Sequence, residues 1–67
     1  MEVVKGTVEE YDRKTGEGMI AMDGGDEHVL VDLTSSAGIW LREGLRVQFT
    51  RIHRPEGVFA SHIKIIQ

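Results

Sequence analysis

The chain is interrupted at short intervals by segments built for turning: DRKTG at 12–16, DGGDE at 23–27, TSSAGIWLREG at 34–44 and HRPEG at 53–57. Asp12 can bond to nearby backbone, Gly16 is free to take a positive φ, and Pro55 cannot donate to a ladder. The runs left between them show no sustained helical period. They read instead as five strands, EVVKGTVEEY (2–11), EGMIAM (17–22), HVLVDL (28–33), LRVQFTRI (45–52) and VFASHIKII (58–66). Alternation assigns faces. Val4, Gly6 and Val8 share one, and Val29, Val31 and Leu33 oppose His28, Leu30 and Asp32. Val47 and Phe49 point together, with Arg46, Gln48 and Thr50 outward, and Phe59, Ser61, Ile63 and Ile65 lie on one side of the last strand.

A chain of 67 residues without cysteine has neither a disulfide nor a thiolate metal site to staple it, so burial and strand pairing must suffice. Apolar residues make up 40% of it, enough for a small core. Three hairpin-like turns and one longer link between the third and fourth strands suit a single all-β domain over residues 1–67. The expected form is a five-stranded antiparallel Greek-key barrel of the OB type, although SH3-like barrels also meet these constraints. Closure hides sheet edges, and Gly6 and Gly18 permit the sharp bends it requires. No run approaches the roughly 20 apolar residues of a membrane helix, and MEVVKG lacks the apolar stretch of a signal peptide. A cytoplasmic domain is expected.

The net charge of -3 argues mildly against a dedicated nucleic-acid binder but conceals an asymmetry. Residues 1–33 carry three basic and nine acidic side chains, whereas residues 34–67 carry five and two. Catalysis is not expected. There is no cysteine, no Ser-His-Asp spacing and no phosphate loop, and Glu9 and Glu10 point to opposite faces of a strand. No cofactor or small-molecule substrate is implied. Nor is a metal: His28 and Asp32 lie about 13 Å apart along a strand, and His53 and His62 lack a third ligand at a usual spacing.

Over almost its whole length the chain resembles the bacterial cold-shock domain. Gly6-Thr7-Val8 matches that family's opening Gly-x-Val strand, and Tyr11 a following aromatic position. Thr15-Gly16-Glu17-Gly18-Met19-Ile20 stands where the first ribonucleoprotein motif reads Lys-Gly-Phe-Gly-Phe-Ile. Val29-Leu30-Val31-Asp32-Leu33 stands where the second reads Val-Phe-Val-His-Phe, and Thr34 or Ser35 matches a following serine. The Leu-x-Glu-Gly-x-x-Val-x-Phe pattern is intact from Leu41 to Phe49, and Ala60-Ser61-His62-Ile63 matches the closing Ala-x-x-Val.

The resemblance implies an OB barrel binding single-stranded RNA or DNA. The skeleton matches and the chemistry does not. Glu17 and Asp32 are acidic, and Met19, Leu30 and Leu33 aliphatic, where the family stacks bases on aromatics at about 1–3 kcal/mol each. With Glu9 and Glu10, four carboxylates are expected along the phosphate path. Tyr11 either caps the core or, with the first strand one residue out of register, stacks on a base. Trp40 either stacks at one end of the strip or plugs the barrel mouth with Ile39 and Leu41.

Two functions follow. In the first, single-stranded nucleic acid binds weakly to Lys5, Tyr11, Met19, His28, Leu30 and Trp40, with Arg13 and Lys14 supplying charge. In the second, the face binds protein, a second copy or a different partner, through Met19, Leu30 and Leu33.

Overall fold

The computed structural model describes residues 3–25 and 27–66. Glu2 of the expected first strand and Asp26 of the DGGDE turn lie outside them. Five strands form: β1 (Val3–Tyr11), β2 (Gly18–Met22), β3 (His28–Val31), β4 (Arg46–Arg54) and β5 (Gly57–Ile66). They close into a barrel in the order β1-β2-β3-β5-β4, with β4 returning to pair with β1. This is the strand order of an OB-type barrel, with the long link between β3 and β4 as expected. Among the described residues no helix is long and apolar enough to cross a membrane.

One expectation is corrected at the closing seam. β3 and β5 run parallel, with Leu30 opposite Phe59, while the other four seams are antiparallel. Hairpins alone produce antiparallel neighbours; the long connection lets a parallel pair form.

The turns close as their residues dictate. The Lys14 N–H donates to Asp12 Oδ1 at 2.8 Å, and the Gly16 N–H to the Asp12 carbonyl at 2.8 Å, with Gly16 at φ +81. A Cβ at Gly16 would also collide with the Leu33 side chain, which lies over this turn. The third strand stops at Val31, earlier than its alternation suggested. Asp32 and Leu33 instead open a compact turn, with the Ser36 N–H donating to the Asp32 carbonyl at 3.0 Å and the Gly38 N–H to the Leu33 carbonyl at 2.8 Å.

The core gathers Val8, Ile20, Val29, Val31, Leu41, Val47, Phe49, Ala60 and Ile63. Two irregularities decide which neighbours join it. In β1, Val8 faces Ile20 but Glu10 faces Met19, so β1 carries an extra residue there. In β5, Lys64 faces Gln48 while Ser61 faces Thr50, placing two residues of β5, His62 and Ile63, opposite Phe49 alone on β4. His62, at φ +54, is the extra residue of that bulge. The expected common face of Phe59, Ser61, Ile63 and Ile65 is therefore broken: Ala60 and Ile63 enter the core, Phe59 packs outside it, and Ile65 is exposed. Thr50, expected outward in solvent, is buried beside the bulge and donates its hydroxyl to the Ser61 carbonyl at 3.2 Å.

Gly18 pairs with Tyr11 just past the β1 bulge, where a Cβ would meet the Glu10 carbonyl oxygen and the Tyr11 ring. At Gly25 the nearest atom to such a Cβ is 3.9 Å away. Gly18→Ala should therefore cost about 1–3 kcal/mol through overpacking, and Gly25→Ala no more than about 0.5 kcal/mol. Urea unfolding of the two variants checks this, and equal midpoints would refute the tight approach.

Candidate functional site

The strand registers line up one residue from every strand across the outside of the barrel. Glu10 on β1 faces Met19 on β2, Met19 faces Leu30 on β3, Leu30 faces Phe59 on β5, and Phe59 faces Ile52 on β4. Four of the five are apolar and none is fully exposed; the row ends in the exposed carboxylate of Glu10. Met19 and Leu30, singled out from the motif positions, are thus direct cross-strand neighbours. Phe59 was not anticipated here, because the β5 bulge changes its face. Ile52 was legible as the outward neighbour of Thr50 but carried no motif to draw attention to it.

The remaining candidates divide. His28 lies one step along β3, half-exposed, with its Nε2 3.1 Å from Glu9 Oε2. Lys5, Arg13 and Lys14 are exposed. Arg13 and Lys14 line a shallow open groove with Glu10, Tyr11, Met19 and Glu43. Tyr11 packs against the core, and its hydroxyl is buried without a hydrogen-bond partner among the described residues. The ring caps the barrel, so it is not brought to the surface row. Leu33 is half-buried over the β1–β2 turn rather than beside Leu30. The apolar trio of the β3–β4 connection is split: Leu41 is core, whereas Ile39 and Trp40 are exposed, Trp40 by 51%. The expected three-residue plug is therefore Leu41 alone.

Charge on this surface is more organised than the sequence indicates. Arg46 grips Asp23 through two bonds of 2.7 and 2.6 Å and also donates to Thr7 Oγ1 at 2.9 Å. Arg51 pairs with Glu27 at 3.4 Å. Asp32, expected on the phosphate path, is fully engaged. Its Oδ1 accepts the Ser35 N–H at 2.7 Å, the Ser35 Oγ accepts the Asp32 N–H at 3.1 Å, and its Oδ2 accepts Arg54 Nη1 at 3.0 Å. Arg54 in turn lies over the Phe59 ring, its guanidinium carbon 4.3 Å from the centroid. Among the described residues Lys5, Arg13, Lys14, Arg42 and Lys64 make no ion pair. Glu10, Asp12, Glu17 and Glu43, all lining that groove, also make no ion pair among the described residues.

The chain matches no family model and no curated protein.

The Ser35 backbone bond, followed by the bonds from Arg54 and the Ser35 hydroxyl, holds the Asp32 carboxyl below its ordinary range against the opposing effect of burial. A lowered folded-state pKa stabilises fully at neutral pH. That contribution fades as pH falls below the unfolded value of about 3.9 and is lost once pH passes the folded one. Asp32→Asn should be less stable than the parent at pH 7, with the difference shrinking as pH falls below about 4. Thermal melts of both chains across that range check it; a constant difference would show that the charge contributes nothing.

Proposed function

We propose that this is a cold-shock-like module that binds single-stranded RNA or DNA weakly in the cytoplasm and catalyses no reaction. The observation that supports it best is the Met19–Leu30 register, which sets the two motif positions of the resemblance side by side on the outer face of an OB-type barrel. Aliphatic side chains cover a base less well than an aromatic ring does, which lowers affinity. Arg13 and Lys14, on the groove beside Met19, are the cations that would meet the backbone. Glu10, Asp12, Glu17 and Glu43 line the same groove and oppose it, while Asp32 does not, because Arg54 neutralises it.

Binding of a mixed single-stranded oligonucleotide should be measurable at about 50 mM salt and fall steeply by about 200 mM. With two phosphates neutralised, log K should change with log salt at a slope of about -1.4. Arg13→Ala with Lys14→Ala should flatten that slope, and Glu17→Gln should strengthen binding at low salt. Undetectable binding at the lower salt would remove this reading.

One observation favours a second reading, a protein partner or a second copy of the chain. The apolar row runs from half-buried Met19 and Leu30, past Phe59 buried under Arg54, to half-buried Ile52, and grouped apolar residues at a surface mark interaction sites. Leu30→Lys at its centre should then abolish association, seen as a change from dimer to monomer in light scattering or as loss of a captured partner. Leu33 lies away from that row, over Gly16.

A further inference from the structure

We infer that Arg54, laid on Phe59, is a stacking platform for an unpaired base. The inference rests on the nucleic-acid reading and deepens it, naming a contact outside both ribonucleoprotein-like motifs. Phe59 stands opposite Leu30 in the surface row, outside the core cluster, yet is only 8% exposed. Arg54 contributes to its cover, with the guanidinium carbon 4.3 Å from the ring centroid. The guanidinium is planar and permanently charged, and it stacks on π systems. Here one face rests on the ring and Nη1 is held by Asp32 Oδ2 at 3.0 Å. The side chain remains 26% exposed.

This arrangement supplies what the motif positions lack. Unpaired bases stack on arginine planes as well as on aromatic rings. A guanidinium fixed by a ring below and a carboxylate at its edge has little rotamer freedom left to lose when a base arrives. Arg46 and Arg51 also have carboxylate partners, but neither lies over a ring among the described residues. A strand crossing Met19 and Leu30 therefore reaches Arg54 as the next surface along the row, and places a base on it.

The test is Arg54→Lys, which keeps the charge and an ion-pairing group for Asp32 but removes the plane. Titrations use a fluorescent single-stranded oligonucleotide and the same strand with abasic sites, each at several salt concentrations. The variant should bind the base-bearing strand about tenfold more weakly, with an unchanged salt slope, and bind the abasic strand like the parent. Phe59→Leu, which leaves the guanidinium without its ring, should show the same selective loss; thermal melts establish that both variants are folded. If the parent binds and Arg54→Lys binds equally well, or loses both strands alike, the platform is refuted while the nucleic-acid reading stands. If the parent binds neither strand, that reading fails and the platform with it.

Discussion

A five-stranded barrel closes only if its third strand meets its fifth, and in this chain those strands run parallel with Leu30 opposite Phe59. Every other seam is antiparallel and registered over several residues. At the closing seam side chains take up what the ladder does not provide. Asp32, just past the end of β3, binds Arg54 at the end of β4, and Arg54 covers Phe59 near the start of β5. Each contact is small, about 0.5–1 kcal/mol for a partly exposed cation over a ring. Their location matters more than their size, because without this seam the sheet has two free edges and the core is open on one side.

The same contacts set the electrostatics of the outer face. A count of charges by position puts an acidic half beside a basic half, with Asp32 as an obstacle to phosphate. In the folded chain Asp23, Glu27 and Asp32 from the acidic half are each matched by an arginine of β4, which runs beside β1 and β5. Most exposed pairs of this kind add little stability. Their consequence is to remove both signs from the field of the face, leaving Glu10, Asp12, Glu17 and Glu43 against Arg13 and Lys14 around one groove. A surface with this acidic excess would hold a phosphate strand only weakly, so on the proposed reading any useful affinity has to come from contacts with bases.

Strand number, the turns and most of the core were legible because they rest on local rules. Alternation placed Val8, Val29, Val31, Val47 and Phe49 inward, and all are buried. Asp12 and Gly16 close their turn as their chemistry suggests. The sequence was opaque at the two bulges, where one extra residue reverses the alternation. In β5 that residue is His62, a non-glycine at positive φ that no propensity rule would select. Downstream of the β1 bulge Tyr11 packs against the core, the first of the two places left open for it, and beyond the β5 bulge Phe59 is buried outside the core cluster, on a different face from Ile63. Side-chain pairs between distant strands, such as Asp32 with Arg54, were equally hidden because they depend on closure.

On the proposed reading, stability and binding meet in one residue, Arg54. A phosphate seated on Arg54 would compete with Asp32 for the guanidinium edge and loosen the closing seam, so the fold opposes that mode of binding. A base stacking on the guanidinium face leaves the Asp32 bond and the Phe59 contact in place and adds a third layer to them. Of the two ways a nucleic acid can use an arginine here, the stacked one leaves the seam intact and therefore incurs no loss of barrel stability. At Arg54, whose edge is already held by Asp32, that asymmetry favours a ligand read through its bases over one held by its phosphates.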